Sequence, residues 1–139
     1  MSKELSRRRQ ARELALQVLF QNEFNEKIDV EASLNFFKGA LDPTNETYQY
    51  AKYLCLGVIE NKSACDEKIE AYSQNWKISR MALVDVNILR ISIFEILFSD
   101  GQVPPKSSID EAVDLAKKYS TQESSRFING ILDQVLKNA

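Results

Sequence analysis

The stretch from Ser79 to Ser99 constrains the fold most, because its apolar side chains cover nearly every side of a helix. A helix that is apolar all round cannot face water, so it belongs at the buried centre of a helical domain. The motif "DGQVPPK" then ends this helix, since Gly and a Pro pair do not continue one. The apolar positions are Met81, Val84, Ile88, Leu89, Ile91, Phe94, Ile96, Leu97 and Phe98.

The segments before this helix show the spacing of amphipathic helices, with apolar residues at i, i+3, i+4 and i+7. We expect the first helix to extend back through the arginines, with Arg9 and Arg12 projecting into water off the apolar face. Asp42-Pro43 predicts a turn. The apolar stripe of the first helix is Ala11, Leu14, Ala15, Val18 and Leu19. The next three helices are predicted at Val30–Phe37, Glu46–Asn61 and Asp66–Tyr72.

Two candidate capping boxes predict the starts of the last two helices, one at Ser108 with Glu111 and one at Ser120 with Glu123. Each pairs a hydroxyl with a carboxylate three residues later, so the two side chains can satisfy exposed backbone amides. The stripes that follow are Ile109, Ala112, Val113 and Ala116, and then Phe127, Ile128, Ile131, Leu132, Val135 and Leu136.

Sustained strand alternation is absent from the sequence, so we predict an all-α fold in a single domain spanning residues 1–139. The chain contains no histidine and no glycine-rich phosphate loop, which argues against an enzyme, a metal site or a nucleotide cofactor. Cys55 and Cys65 are predicted to be reduced thiols that fill the core. Neither a long uncharged apolar run nor a secretory leader is visible, so we expect a cytoplasmic protein.

The charge of the chain is unevenly distributed. Its net charge is −2, but residues 1–12 hold five basic side chains and one acidic one and carry +4, which leaves −6 on the remainder. A basic arm on an acidic body indicates a local site for a polyanion. A solvated terminus, or an arm that docks on an acidic protein, would give the same pattern.

Three stretches together resemble the NusB family of bacterial transcription antitermination factors: "RRRQARELALQVLFQ", "DVNILRISIFEIL" and "VPPKSSIDEAVDLAKKYSTQESSRFINGILD". The resemblance implies about seven helices in two small bundles, in the stand-alone form without a catalytic domain. It also implies binding of single-stranded boxA RNA together with NusE, a small-subunit ribosomal protein. The expected setting is an antitermination complex on RNA polymerase during ribosomal RNA synthesis, with a possible homodimer.

The resemblance assigns roles to individual positions, and most of them have an ordinary structural alternative. Phe127 suits either the core or base stacking, and Glu123 belongs to a helix start as well as to the RNA surface. Asp85 could simply complement a helix dipole. The implied RNA-binding residues are Arg7, Arg8, Arg9, Arg12, Glu123, Arg126 and Phe127. The implied NusE-binding residues are Phe20 and Asp85.

Other conspicuous residues are given structural roles. Arg90 and Glu95 are expected to find separate partners in the core, Gly130 to allow close helix approach, and Trp76 to anchor packing. We expect the arginine arm and the start of the last helix to form one RNA surface, and Phe20 and Asp85 another for NusE. A protein-interaction module is the alternative function.

Overall fold

The structure, a computed structural model, describes residues 3–25, 27, 29–39, 41–74 and 76–139, with side chains described from residue 7 onward. In this part of the chain all regular structure is helical, as predicted. A short 3-10 helix at Ile78–Arg80 lies between the fourth and fifth α-helices. The α-helices are α1 (Lys3–Asn22), α2 (Val30–Phe37), α3 (Glu46–Glu60), α4 (Lys62–Tyr72), α5 (Leu83–Leu97), α6 (Pro105–Tyr119) and α7 (Gln122–Lys137).

The chain divides into two compact units, residues 1–57 and residues 58–139. In the first unit α1 packs against α2, and all five predicted stripe residues of α1 are buried. The thiol of Cys55 lies 3.9 Å from the carbonyl oxygen of Ala15. Burial raises the pKa of Cys55 to about 12, so this cysteine is a neutral packing residue, as predicted.

In the second unit the apolar helix α5 lies at the centre and contacts α4, α6 and α7. Every residue from Asp85 to Glu95 is buried, which confirms the prediction for this segment. The predicted segment was longer than the helix, because Ile78–Arg80 forms a separate 3-10 turn and Phe98 is partly exposed. The helices around α5 supply the rest of the apolar core, including Ile69, Ile109, Ile128, Ile131 and Leu132.

The charged residues inside α5 have structural partners, as predicted. The guanidinium of Arg90 donates from Nε to Asp66 Oδ1 at 2.7 Å and from Nη2 to Oδ2 at 3.0 Å. Glu95 accepts a hydrogen bond of 2.8 Å from the hydroxyl of Ser108 on α6. Hydrogen bonds of Arg90 and Glu95 therefore link α5 to α4 and α6.

Both predicted capping boxes are misplaced. The N-cap of α6 is Pro104 and the helix begins with Pro105, so Ser108 lies inside the helix, where its hydroxyl serves Glu95. Proline suits the first helical position because its missing N–H would have no partner there. The N-cap of α7 is Thr121, whose hydroxyl accepts from the Ser124 amide at 2.9 Å, and Ser120 ends α6 instead.

The prediction that Gly130 permits close approach of another helix is wrong. A Cβ built at this position would meet nothing within 4 Å among the atoms outside its own helix backbone. Gly130 is exposed in the middle of α7. No helix in the described part of the chain is long and apolar enough to cross a membrane.

Candidate functional site

The start of α7 is tied to the start of α5 by a chain of hydroxyl groups. Thr121 Oγ1 donates to Ser124 Oγ at 3.0 Å, and Ser124 Oγ donates to Asp85 Oδ2 at 2.7 Å. These residues are 36 and 39 positions from Asp85 in sequence, so only the fold brings them together. These two hydrogen bonds hold the Oδ2 atom of the Asp85 carboxylate against the start of α7.

A cleft of about 280 Å³ opens where these two helix starts meet. Asp85 lines this cleft and is 6% exposed. Among the described residues its Oδ1 atom has no hydrogen-bond partner. A buried carboxylate oxygen without a donor is costly, so it marks a place where an external donor fits. We call this the Asp85 cleft, and its lining includes Trp76, Arg80, Asp85, Glu123, Ser124 and Phe127.

Trp76 was predicted to be a packing anchor, but its side chain is 55% exposed. Its backbone is held in place, because Ser73 Oγ donates to the Trp76 carbonyl at 2.6 Å and the Trp76 amide donates to the Ser73 carbonyl at 3.2 Å. The prediction failed because Trp76 stands in a turn after α4, outside any apolar stripe. A fixed backbone thus presents the indole ring to solvent.

Phe127 was predicted either to pack in the core or to stack on a base at the surface. Its side chain is half-buried, which is intermediate between the two, and it lines the Asp85 cleft. It also lines a second groove of about 400 Å³ together with Trp76, Arg126 and Gly130, which we call the Gly130 groove. Arg126 and Glu123 are both exposed. The beginning of α7 therefore presents an aromatic ring, a cation and an anion on one stretch of surface.

In the first unit the predicted arginine arm is ordered by two residues of α3. Arg7 forms an ion pair with Glu46, and the guanidinium of Arg8 lies 5.2 Å from the centre of the Tyr50 ring. These four side chains line a shallow pocket of about 170 Å³. Arg9 is half-buried. The arm is thus held on a surface in the free protein.

Arg12 does not stay in water as predicted, because only 2% of it is exposed. The buried surface of α1 is wider than the predicted stripe, because Arg12 and Leu16 are buried on the same side as Leu19. These positions are spaced i, i+4 and i+7 and share a helix face. The expectation that Arg12 projects into water is therefore wrong, and its contact with RNA stays a prediction.

Phe20, predicted to contact NusE, lies near the end of α1 and is 37% exposed. It packs edge-to-face on Phe24, with ring centres 5.3 Å apart, and Phe24 is 70% exposed. This pair of rings forms a small apolar patch on the first unit.

Comparison with known proteins identifies the family. Residues 9–137 match the NusB family. The chain belongs to the NusB family. The transcription antitermination protein NusB of Bdellovibrio bacteriovorus is 50% identical over 133 residues, which cover 96% of this chain and 97% of that protein.

Two solved NusB structures have a similar fold. T. maritima NusB is 37% identical with a TM-score of 0.80, and the match covers 94% of this chain and 90% of that one. NusB in a crystal structure of NusB and NusE with double-stranded RNA is 25% identical with a TM-score of 0.84, covering 96% and 98%. The resemblance seen in the sequence is therefore confirmed over nearly the full length.

Within this NusB family member, the second unit gathers Phe127, Glu123 and Asp85 at one cleft. Asp85 was predicted to serve a different partner from the other two, yet all three line the same cavity. Arg126 lies on the Gly130 groove instead. The arginine arm and Phe20 belong to the first unit.

Sequence reasoning missed three residues near the candidate sites: Trp76, Glu46 and Tyr50. The exposure of Trp76 could have been predicted from its position in the polar segment "YSQNWK", which contains no apolar helix stripe. Nothing in the spacing of Tyr50 along α3 indicated that an arginine from α1 would lie over its ring. Glu46 carried no signal beyond its place at a helix start.

Proposed function

We propose that this chain is a non-enzymatic adapter in transcription antitermination, which binds boxA RNA together with NusE on RNA polymerase during ribosomal RNA synthesis in the bacterial cytoplasm. The observation that carries the proposal is the start of α7, where half-buried Phe127 lies beside exposed Arg126 and Trp76. Aromatic rings next to a guanidinium group are typical of surfaces that bind single-stranded RNA. The relative crystallised with NusE and double-stranded RNA supports the same class of ligands.

The arginine arm supplies the electrostatic part of RNA binding in this proposal. Arg7, Arg8 and Arg9 reach phosphate oxygens, which guanidinium groups pair in a bidentate way. Because Arg8 already rests on Tyr50, less side-chain freedom is lost when RNA binds. Neutralising phosphates releases counterions, so RNA affinity falls as salt rises.

The start of α7 supplies the base contacts. Phe127 stacks with a base, and Arg126 contacts the adjoining phosphate. Glu123 is exposed and repels phosphate, so it favours placement of bases rather than backbone in its neighbourhood. Stacking is worth about 1 to 3 kcal/mol per base and tolerates different sequences.

NusE binding is proposed at Phe20 and Asp85, with Phe24 extending the apolar contact of Phe20. A carboxylate at an interface steers a basic partner and adds more to specificity than to affinity. A partner with its own RNA contacts raises RNA affinity through effective concentration. Self-association of the chain remains a separate prediction.

The proposal is tested by fluorescence anisotropy of labelled boxA RNA at two salt concentrations, with and without NusE. We expect weak binding by the chain alone, tighter binding with NusE, and weaker binding at high salt in both cases. A duplex of the same sequence shows whether the single strand is preferred. The absence of any RNA binding, with or without NusE, would contradict the proposal.

Replacement of Arg7, Arg8 and Arg9 by alanine separates this function from the alternative of a protein-interaction module. The RNA adapter loses affinity for RNA in this variant. A protein module that uses the arm to dock on an acidic partner retains whatever RNA binding it had. Arg80→Ala would not serve as a control, since Arg80 lines the Asp85 cleft. Replacement of Lys62, Lys68 and Lys106 by alanine removes the same number of positive charges outside the arm and is the matched control.

A further inference from the structure

We propose that Ser124 is a positioning residue for the contact with NusE, because its hydroxyl group holds the Asp85 carboxylate in the orientation that a basic partner meets. The inference rests on the proposed NusE contact of Asp85 and adds a residue that acts without touching NusE. Ser124 occupies the Oδ2 atom of Asp85, and the Oδ1 atom is left for the partner.

The hydrogen bonds around Ser124 run in one direction. A hydroxyl group has one hydrogen to donate, and the Ser124 hydroxyl donates it to Asp85 Oδ2 at 2.7 Å. The Ser124 oxygen accepts from Thr121 Oγ1 at 3.0 Å, and Thr121 Oγ1 accepts from the Ser124 amide at 2.9 Å. The N-cap of α7 therefore fixes the Ser124 hydroxyl from one side, and its hydrogen points at the carboxylate.

The bond between Ser124 and Asp85 joins the first turns of two helices, since Asp85 is the third residue of α5 and Ser124 the third residue of α7. Helix N-termini carry a partial positive charge, so two of them stabilise the negative charge of the carboxylate that lies between them. This accounts for an aspartate that is only 6% exposed in a place without an ion pair among the described residues.

The two oxygens of Asp85 differ in a way that a purely structural role does not require. Buried polar atoms are nearly always satisfied, so a carboxylate that only fastened α5 to α7 would be expected to have donors at both oxygens. Oδ2 has the Ser124 hydroxyl, and Oδ1 has no donor within the described part of the chain. One oxygen therefore orients the side chain, and the other is available to NusE.

Orientation of this side chain affects affinity because an aspartate has several staggered rotamers, and a bound basic group requires one of them. The hydrogen bond from Ser124 selects that rotamer before NusE binds, so less conformational entropy is lost on binding. Without the hydroxyl group, the carboxylate can turn away from the partner. Loss of the Ser124 hydroxyl therefore weakens NusE binding through Asp85.

Ser124→Ala tests this role without removing the cap of α7, because residue 124 still donates its backbone amide to Thr121 Oγ1. We expect NusE to bind this variant about threefold to tenfold more weakly, as the ordering of one side chain allows. Arg126 and Phe127 are unaltered, so boxA RNA without NusE should bind as tightly as before. Isothermal titration calorimetry with NusE and anisotropy of labelled boxA RNA measure the two affinities.

Two variants control for the loss of a hydroxyl group as such. Ser124→Thr keeps a hydroxyl at the same position and should restore NusE affinity. Ser125→Ala removes the hydroxyl of the next residue, which donates to the Gln122 carbonyl at 2.6 Å, and should leave NusE affinity unchanged. Circular dichroism and urea denaturation check that each variant is folded under the conditions of the titration.

A double-mutant cycle tests whether Ser124 acts through Asp85. Asp85→Asn keeps the shape of the side chain and removes its charge, so NusE should bind more weakly, and Ser124→Ala should then cause no further loss. The contact at Phe20 is present in both backgrounds. Equal losses from Ser124→Ala in the two backgrounds would mean that Ser124 acts by another route, and the positioning role would be overturned.

The remaining outcomes distinguish this inference from the function on which it rests. If folded Ser124→Ala binds NusE as tightly as the unaltered chain, or if Ser124→Thr does not restore affinity, the positioning role is overturned, whereas weaker binding of Asp85→Asn still supports the NusE contact. If Asp85→Asn binds NusE unchanged, the proposed contact of Asp85 fails and the positioning role fails with it. If the unaltered chain does not bind NusE, the proposed adapter function fails.

Discussion

At the residue scale, Gly130→Ala tests whether this position of α7 requires glycine. It lies in the interior of α7, and an added Cβ meets nothing within 4 Å. Glycine in a helix interior costs about 1 kcal/mol relative to alanine, so Gly130→Ala should raise the free energy of unfolding by about 0.5 to 1 kcal/mol. Urea denaturation measures the change.

Gly101→Ala is the control, and for it we expect the opposite change in stability. Gly101 also has open space around it, but its φ is +75°, where an L side chain is strained. We expect this variant to lose about 1 kcal/mol of stability. A loss of stability in Gly130→Ala would mean that the backbone at this position is less helical than the structure shows.

Trp76 and Arg12 show why exposure of single residues was hard to predict. Residue type suggested a buried tryptophan and a solvated arginine, yet the tryptophan is 55% exposed and the arginine 2% exposed. Trp76 lies in a turn, and Arg12 shares a helix face with Leu16 and Leu19. Burial depends on how widely the neighbouring elements cover a helix, and the apolar stripe alone does not contain that information.

At the element scale, the start of α7 predicts that substitutions of two adjacent hydroxyl residues, Ser120 and Thr121, have different effects on stability. Thr121 is the N-cap and its side chain accepts from the Ser124 amide at 2.9 Å, whereas Ser120 ends α6. Thr121→Ala should cost about 1 kcal/mol of stability and Ser120→Ala close to nothing. Thermal or urea unfolding of the two variants, compared side by side, would refute the assignment if Ser120→Ala were the more harmful.

The pairing of α4 with α5 gives a second prediction at this scale. Asp66 holds Arg90 through two hydrogen bonds of 2.7 and 3.0 Å, and the Arg90 side chain is 5% exposed. Asp66→Ala leaves this guanidinium without its carboxylate and should cost about 3 kcal/mol. Glu67→Ala, the exposed neighbour on α4, should change stability by less than about 0.5 kcal/mol. Equal effects of the two variants on urea midpoints would contradict a structural role for the pair.

The helices themselves were largely predictable, because apolar periodicity follows from the need to bury one face. Val30–Phe37 was predicted with its observed bounds, and α3 differs by one residue at its end. The start of α4 was missed by four residues, since Lys62 to Cys65 carries no clear stripe of its own. The cap of α7 was misplaced because two hydroxyl residues, Ser120 and Thr121, adjoin at its start. The start of α6 was misplaced because Ser108 lies inside the helix, and Pro105 was the better signal.

At the scale of the whole molecule, each of the two units contains a contact at its candidate site that joins distant parts of the sequence. Ser124 meets Asp85 across 39 residues, and Arg7 meets Glu46 across the same separation. Residue patterns along one helix cannot reveal such pairs, although the family resemblance did place Phe127, Glu123 and the arginines among the candidates. The site residues implied by the resemblance therefore stay predictions, and the partners that they have in the fold came only from the structure.

The ion pair of Arg7 with Glu46 leads to a prediction about RNA affinity. Both side chains are well exposed, and a phosphate that binds Arg7 has to replace the Glu46 carboxylate. Glu46→Gln removes that competition, so it should raise affinity for boxA RNA by about twofold to fivefold, the range that an exposed ion pair supports. Anisotropy titrations over a series of salt concentrations measure the change.

Two further variants make the test specific. Glu31→Gln breaks another exposed ion pair of the first unit, with Lys52, and should leave RNA affinity unchanged because no arginine of the arm is involved. Arg8→Ala should weaken binding and reduce the slope of log affinity against log salt by about 0.7, the value for one lost phosphate contact on a single strand. If Glu46→Gln and Glu31→Gln change affinity equally, the gain reflects net charge alone and Glu46 does not compete with RNA for Arg7.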